Sequence, residues 1–402
     1  MPTAPDNRIT YLVGKSGGEL SAAPLVPYDE LACEFLGSLS AALLADKAAK
    51  LYPDVISFAY WCRKANIARL RREFAEPNVR LGLGMVFHIA PSNVPINFAF
   101  SYAFSLLAGN ANTVRVPTRD FPQTGIVCAA INQLLANEKY KNIADMTVFI
   151  KYQQDDGITG EFSGKCAARI IWGGDQAISN IRKLPIPERS REIAFADRYS
   201  FCVIDAGGVL LADKAALSRL AGSFYKDTYL MDQNACSSPH LVVWLGKGAA
   251  VKEAKEKFWN GVYEATAAKY ELQPVNAVDK YTLLCENAIE LDTITGFTKH
   301  GNYLYRAELG SLPGNMEALR GKYGFFYEYN AKELDSIAHI VNTKYQTLTY
   351  FGVEKALLRD FVVKNRLSGI DRIVPVGSAL DIGVIWDGYD IVRSLSRIIE
   401  LK

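Results

Sequence analysis

The chain has 402 residues, of which 49% are hydrophobic and 22% are charged, and its formal net charge at pH 7 is +2. This length predicts two or three domains, and a near-neutral charge without a long basic run gives no electrostatic support for nucleic-acid binding. The apolar segments are all shorter than the roughly 20 residues that span a bilayer, so no membrane span is predicted. Seven scattered cysteines without CxxC spacing and four distant histidines indicate reduced thiols in a cytoplasmic protein, and argue against a disulfide framework or a metal site.

The first half of the chain is predicted to begin with a loose lead-in up to about residue 25, followed by two helices over 28–51 and 55–74. Strand and helix patterns then alternate. The predicted strands cover 80–90, 111–116, 145–150 and 167–172, and the predicted helices cover 96–107, 124–135 and 175–182. Strands separated by helices of this length predict a doubly wound parallel sheet, which is an α/β fold.

The alternation resumes near residue 200. The predicted strands are 201–204, 241–245, 347–351 and 373–376, the predicted helices are 213–224, 249–270, 331–341 and 353–366, and aromatic-rich strands and turns occupy 299–329. We therefore predict a first domain over residues 1–200, a second α/β domain over 201–370 and a C-terminal segment over 371–402.

Cys236 stands among small residues, Ala235, Ser237 and Ser238, just before an apolar run. Small neighbours leave a thiol accessible, and amide and carboxylate side chains precede it at 232–234. Access and a polar surround that favours the thiolate are what a nucleophilic cysteine needs, so Cys236 is a candidate nucleophile. The alternative is a buried structural cysteine, the usual role of a free thiol.

Asn93 lies in a turn flanked by Pro91 and Pro95, directly after a predicted buried strand. An amide held in such a turn can donate a hydrogen bond to an oxyanion, because its position is fixed before the charge develops. The alternative is an ordinary Asx turn that ends the strand.

Two other turns fall at the carboxyl ends of predicted strands, where parallel sheets bind ligands. Gly173 and Gly174 open a helix whose N-terminus suits a pyrophosphate, although the GxGxxG fingerprint is absent. Arg115, Thr118 and Arg119 lie at the end of another strand and suit a phosphate such as the 2′-phosphate of NADP, or else form a solvated loop.

Taken in order, these features resemble the aldehyde dehydrogenase superfamily, and more closely the LuxC-type acyl-CoA reductases, the fatty-acid reductase component of bacterial bioluminescence. The resemblance covers most of the chain from residue 52 onward. The segments that carry it are Tyr52-Pro-Asp-Val55, Trp61-Cys-Arg-Lys-Ala-Asn66, the Asn93 turn, Val114-Arg-Val-Pro-Thr-Arg-Asp-Phe-Pro-Gln123, Trp172-Gly-Gly174, Phe195-Ala-Asp-Arg198, Asp232 to Pro239, Arg372-Ile-Val-Pro-Val-Gly377 and Trp386-Asp-Gly-Tyr389.

The resemblance implies an aldehyde dehydrogenase-like fold with two doubly wound parallel-sheet domains. The first would bind NADPH, the second would carry the nucleophile, and the C-terminal segment would return to the cofactor domain or join an oligomer interface. It further implies reduction of an acyl-CoA or acyl-protein thioester to an aldehyde through an acyl-cysteine intermediate. A homo-oligomer and an acyl-activating partner protein are expected on the same ground.

By position, the resemblance assigns catalytic roles to Cys236, as the acylated nucleophile, and to Asn93, which forms the oxyanion hole with the Cys236 backbone N–H. It assigns six residues to the cofactor: Ser92, Arg115, Thr118, Arg119, Gly173 and Gly174. Two alternatives stay open, a CoA-independent NAD(P) aldehyde dehydrogenase and a cysteine acyltransferase that ignores nucleotides.

One departure from the superfamily concerns the base that hydrolyses the acyl-enzyme. Hydrolytic aldehyde dehydrogenases carry this Glu in a Glu-Leu-Gly-Gly segment, whereas the matching region here is 191–198, with Phe195 near the Glu position. Glu192 and Asp197 are the remaining candidates for a base. A site without the base suits acyl exchange between thiols, which favours thioester reduction over aldehyde oxidation.

Overall fold

The computed structural model of the chain describes residues 6–14, 20–21, 23–92 and 94–402. The chain forms two compact units. The first consists of Met1–Ala196 with Tyr389–Lys402, and the second of Asp197–Gly388. The sequence prediction instead divided the chain at residues 200 and 370.

The first unit alternates strands and helices over most of its length. Its strands are β1 Thr10–Val13, β2 Val79–Gly82, β3 Met85–Ile89, β4 Ala111–Arg115, β5 Thr147–Lys151, β6 Ala168–Trp172, β7 Arg191–Phe195, β16 Tyr389–Asp390 and β17 Ser396–Ile399. Its α-helices are α1 Glu30–Ala45, α2 Pro53–Trp61, α3 Lys64–Phe74, α4 Asn97–Leu107, α5 Pro122–Leu135, α6 Lys141–Ala144, α7 Asp156–Ser163, α8 Asp175–Arg182 and α14 Ile391–Ser394.

The main sheet of the first unit has the strand order β1-β5-β4-β3-β6-β7. The five strands from β5 to β7 are parallel, and β1 pairs antiparallel with β5 at one edge. The central strands are buried almost without interruption, as expected for a parallel sheet with helices on both faces, although β4 carries the polar residues Asn112 and Thr113. The edge strand β1 lies in the segment that was predicted to be a loose lead-in.

The predicted strand 80–90 is wrong as a single element, because it divides between two sheets. β2 pairs antiparallel with β17, and β3 joins the main sheet. The break is held by the side chain of Asn110, whose Oδ1 accepts hydrogen bonds from the backbone N–H groups of Leu83 and Gly84 at 2.6 and 3.2 Å. The predicted helix 55–74 likewise divides into α2 and α3, because Arg63 has an extended backbone.

The second unit repeats the alternation with a larger sheet. Its strands are β8 Tyr199–Asp205, β9 Pro239–Leu245, β10 Ile294–His300, β11 Leu304–Leu309, β12 Phe325–Ala331, β13 Tyr345–Phe351, β14 Arg372–Pro375 and β15 Ile385–Trp386. Its α-helices are α9 Ala206–Leu211, α10 Lys214–Thr228, α11 Gly248–Lys269, α12 Pro274–Glu290 and α13 Lys355–Lys364.

The sheet of the second unit has the order β10-β11-β12-β9-β8-β13-β14, and every pair in it is parallel except β10 with β11. Side chains of β8 alternate between two hydrophobic clusters: Phe201 and Val203 belong to one, Cys202 and Ile204 to the other. Both faces of the sheet are therefore covered. The predicted α/β class with two parallel-sheet domains is confirmed.

The helices of the second unit differ from the predictions in two long segments, and the short helix α9 was also not predicted. The segment predicted as a helix over 331–341 contains a 3-10 helix, Leu334–Ile340. The long helix α12 was not predicted, because its buried residues are the polar Lys280 and Asn287 while Val278 is exposed. Of the helices in the described parts of the chain, none combines the length and the apolar character needed to cross a membrane.

Candidate active site

Cys236 lies in the loop that leads into β9, and two side chains fix this loop. The Gln233 amide is buried and donates to the backbone carbonyls of Pro239 and Phe325 at 3.1 and 2.9 Å. The Ser200 hydroxyl, at the start of β8, donates to the Cys236 carbonyl at 2.7 Å. The thiol is therefore placed at the amino ends of two neighbouring parallel strands.

The polar residues that precede Cys236 in the sequence do not surround the thiol. Gln233 anchors the loop, and the Asp232 carboxylate accepts a hydrogen bond from the Tyr270 hydroxyl at 2.5 Å. Asp232 and Gln233 have left-handed backbone angles, with φ of 52° and 61°, respectively. The interpretation of Asp232 and Gln233 as the polar surround of the thiol is thus corrected, because their side chains are bonded to the Tyr270 hydroxyl and to backbone carbonyls of β9 and β12.

The polar neighbours of the thiol come from distant parts of the chain. The Nε2 atom of Gln346, at the start of β13, lies 3.3 Å from the Cys236 sulfur and also donates to the Asp387 carboxylate. Gln346 is fully buried, and the Asp387 side chain is 3% exposed. Arg198 forms an ion pair with Asp371 and lies 3.7 Å from Asp387.

These surroundings set the charge state of the thiol. Burial, together with the Asp387 carboxylate, raises the pKa of the half-buried Cys236 thiol to about 11, although Gln346, Arg198 and Arg372 act in the opposite direction. The thiol in this geometry is therefore predominantly protonated at neutral pH. Burial also raises the pKa of Asp387, against the effects of Arg198 and Gln346.

Sequence reasoning did not assign roles to Gln346 or Asp387. Asp387 was visible only as part of the segment 386–389, which carried the family resemblance. A local signal does exist for its turn, since Asp387 and Gly388 have φ of 49° and 75°. An Asp-Gly pair with two left-handed residues is typical of a tight two-residue turn. That turn positions the Asp387 carboxylate beside Gln346, but the sequence around Gln346 has no comparable local pattern.

In the first unit, the residues assigned to the cofactor follow three adjacent strands of the sheet. Ser92 follows β3. Arg115 is the last residue of β4, and Thr118 and Arg119 come after it. Gly173 and Gly174 follow β6. Because these strands are parallel neighbours, their carboxyl ends share one edge of the sheet. Asn93, the predicted oxyanion donor, lies outside the described residues.

Two observations fit a phosphate-bearing cofactor at this edge. Gly174 is the N-cap of α8, makes no side-chain cap, and a Cβ added to it would meet no atom of the described residues within 4 Å. The helix N-terminus therefore has open space for an anion. The Nε atom of Arg115 is buried and has no hydrogen-bond partner among the described residues, while its guanidinium stacks on Tyr152 at 4.4 Å.

A buried hydrogen-bond chain fixes Trp172, the last residue of β6. Its indole N–H donates to the Ser101 hydroxyl at 3.0 Å, and Ser101 lies 2.8 Å from Nδ1 of His88. The other ring nitrogen of His88 lies 3.0 Å from Oδ1 of Asn112. Because that oxygen only accepts, the proton is on Nε2, and Ser101 donates to Nδ1. Burial lowers the pKa of His88 to about 4, which keeps the ring neutral.

The structure also shows the contacts of Glu192 and Asp197, the two remaining candidates for the base that would hydrolyse the acyl-enzyme. Glu192 is held by Arg169 and Arg182 at 2.5 and 2.7 Å. Asp197 forms an ion pair with Arg320 at 2.9 Å. Both carboxylates are therefore engaged as ion pairs within their own units. Within the parts of the chain that the structure covers, no group of three His, Cys, Asp or Glu side chains could hold a metal ion.

Comparison with known proteins gives one family match. Residues 66–276, a little over half of the chain, match the model of the family described as acyl-CoA reductase (LuxC). This range contains every residue that the sequence assigned to the site. No curated protein matches the chain.

Many solved structures share the fold. An NAD-dependent benzaldehyde dehydrogenase from Corynebacterium glutamicum is 14% identical, with 99% of this chain and 98% of that chain covered and a TM-score of 0.59. A lactaldehyde dehydrogenase from Escherichia coli is 14% identical, with 87% and 79% covered and a TM-score of 0.57. An oxidoreductase from Marinobacter aquaeolei is 10% identical, with 91% and 81% covered and a TM-score of 0.61. At these identities the likeness shows the fold alone, which is aldehyde dehydrogenase-like.

Proposed function

The chain belongs to the LuxC family of acyl-CoA reductases, and we propose that it reduces an acyl-CoA or acyl-protein thioester to the aldehyde with NADPH, through an acyl-cysteine intermediate. The observation that carries the proposal is the family match, which includes Cys236 and the predicted cofactor residues. The geometry around the thiol and at the sheet edge of the first unit supports it.

The proposed first step is transfer of the acyl group to Cys236. The thiolate attacks the thioester carbonyl, a new carbon–sulfur bond forms, and the bond to the leaving thiol breaks, so that CoA departs as a thiolate. The backbone N–H of Cys236 has no acceptor among the described residues, which leaves it free to donate to the oxyanion. Asn93 is the proposed second donor.

The residues proposed to hold the cofactor are those at the sheet edge of the first unit. Gly173 and Gly174 would meet the pyrophosphate, with Ser92 close by, and Arg115 and the residues 118–119 would meet the adenosine ribose and its 2′-phosphate. NADPH supplies a hydride when bound. After reduction of the acyl group, the hemithioacetal on Cys236 collapses, its carbon–sulfur bond breaks, and the aldehyde leaves the regenerated thiolate.

The contacts of the two candidate bases support reduction over hydrolysis. Glu192 and Asp197 are engaged with arginines, and Phe195 is an apolar residue in a packed aromatic contact. Against the effect of burial, hydrogen bonds from Arg182 and Arg169 lower the pKa of the Glu192 carboxylate, because the nearby cations stabilise its charged form and make it a weaker base. Both of these carboxylates are therefore occupied by arginines, which favours an acyl-enzyme that persists until it is reduced or returned to a thiol.

The proposal is tested by measuring NADPH oxidation with a series of acyl-CoA substrates of increasing chain length, with the aldehyde quantified in parallel. We expect oxidation that requires acyl-CoA and yields one aldehyde per NADPH. Aldehyde-dependent reduction of NAD⁺ or NADP⁺ without CoA, and no acyl-CoA-dependent oxidation, would instead identify an aldehyde dehydrogenase. Acyl transfer between thiols without NADPH binding would identify an acyltransferase.

A further inference from the structure

We propose that Gln346 is the side chain that stabilises the Cys236 thiolate, and that Thr347 and Asp387 hold its amide with the N–H end toward the sulfur. The inference rests on the proposed function only in taking Cys236 as the nucleophile. Gln346 contacts the reacting sulfur, whereas Thr347 and Asp387 act through it and are positioning residues.

The hydrogen bonds around Gln346 form a continuous chain. The guanidinium of Arg372 donates to the Thr347 hydroxyl at 3.3 Å, and that hydroxyl donates to Oε1 of Gln346 at 3.2 Å. On the other end of the amide, Nε2 donates to Asp387 and lies 3.3 Å from the sulfur of Cys236. Thr347 is 1% exposed, and Gln346 is fully buried.

The two ends of this chain decide which way the amide points. A guanidinium only donates hydrogen bonds and a carboxylate only accepts them, so the chain runs from Arg372 toward Asp387. A flipped amide would set Oε1 of Gln346 against the Asp387 carboxylate, two acceptors without a proton between them, in a buried site. The arrangement therefore excludes the flipped form while Asp387 is ionised.

The orientation of the Gln346 amide matters because the Cys236 thiol must become a thiolate to act as a nucleophile. An N–H group facing the sulfur favours the thiolate, whereas a carbonyl oxygen would favour the neutral thiol. The charged groups that act on the sulfur are Asp387, which opposes the thiolate, and Arg198 and Arg372, which favour it. Gln346 is the neutral group in direct contact with the sulfur, and its amide nitrogen also donates to the Asp387 carboxylate.

The test is the pH dependence of alkylation of Cys236 by iodoacetamide, followed by mass spectrometry of the peptide that contains it. Neither acyl-CoA nor nucleotide is present, so the result does not depend on whether the proposed reduction occurs. We expect Gln346→Met to raise the midpoint of alkylation by about one pH unit and to slow it about tenfold at pH 8. Gln346→Asn, which withdraws the amide by one methylene, should act in the same direction if Gln346→Met does not fold.

Two matched substitutions of Thr347 test whether its hydroxyl positions the Gln346 amide. Thr347→Val keeps the shape but removes the hydroxyl, and should slow alkylation at pH 8 by about threefold or more, because the amide loses the donor at Oε1. Thr347→Ser keeps the hydroxyl and should retain the wild-type midpoint. An unchanged midpoint in the Gln346 variants would overturn the role of Gln346, and equal effects of Thr347→Val and Thr347→Ser would overturn the role of Thr347.

Discussion

The indole of Trp172 stacks on the ring of Phe195, with ring centroids 3.7 Å apart and planes inclined by 19°. The two residues end the adjacent strands β6 and β7, and both are buried. Phe195 is the residue that the resemblance to aldehyde dehydrogenases predicts to lie near the position of their hydrolytic Glu. A packed aromatic pair provides no proton acceptor, so this contact agrees with the proposed transfer of acyl groups without hydrolysis.

The first prediction concerns hydrolysis. If neither Glu192 nor Asp197 acts as a base, Glu192→Gln and Asp197→Asn should leave the rate at which free acid is released from the acyl-enzyme unchanged within about twofold, whereas loss of a general base costs about a hundredfold or more. The measurement is free acid formed from acyl-CoA without NADPH. A large fall in that rate for either variant would identify it as the base.

Glu192 should instead contribute to stability in a pH-dependent way. Burial alone would raise the pKa of Glu192, but hydrogen bonds from Arg182 and Arg169 outweigh it and lower the pKa. A lowered folded-state pKa gives stability that is present above the unfolded pKa and is lost as pH falls through the folded value. Glu192→Gln should therefore destabilise the protein by about 2 kcal/mol at pH 7 and progressively less below pH 4 or so. Urea denaturation at several pH values measures this, and a constant difference would contradict it.

Ser101 should support the fold through the Trp172 contact. Ser101→Ala leaves the Trp172 N–H and the His88 Nδ1 without partners in a buried site, which should reduce the free energy of unfolding by about 1–3 kcal/mol. Ser218, exposed on α10, is the matched control, and Ser218→Ala should stay within about 0.5 kcal/mol. Denaturant unfolding measures both, and equal values for the two variants would show that the buried chain contributes nothing.

Substitution of Arg119 tests the proposed contact with the 2′-phosphate of NADPH more cleanly than substitution of Arg115. Arg115 is packed on Tyr152, so its removal would also disturb the fold, whereas Arg119 is exposed. Arg119→Gln should raise the KM for NADPH by about tenfold and that for NADH by less than about twofold, because only NADPH carries the phosphate. Arg72→Gln, on the exposed face of α3, should change neither. An equal effect of Arg119→Gln on the KM for NADPH and for NADH would exclude a contact between Arg119 and the 2′-phosphate.

The sequence predicted the parts of the fold whose apolar pattern matches their burial. The buried strands β5 and β6 are short, mostly apolar runs between helices, and their predicted bounds lie within two residues of the observed ones. The edge strand β7 was missed because it begins with charged residues, Arg191 and Glu192. Helix α12 was missed because its pattern is reversed: Lys280 is buried and donates to the Tyr323 carbonyl at 2.7 Å, while Ile289 is exposed.

The candidate site was predictable only where one short segment carries the signal. Cys236 and Gly174 stand in turns with small neighbours, which single them out. Gln346 is 110 residues from Cys236 and 41 from Asp387, so only the folded sheet brings the three together. A buried glutamine in an apolar strand has no local pattern that distinguishes it from any other polar core residue.

The most direct test of the central claim is transfer of a labelled acyl group from acyl-CoA to the protein without NADPH, followed by peptide mapping. We predict label on the peptide that contains Cys236 in the wild type and in Cys285→Ser, which removes another half-buried thiol of the same unit. Cys236→Ala should carry no label and should still bind NADPH. Label that persists in Cys236→Ala would contradict the acyl-cysteine assignment.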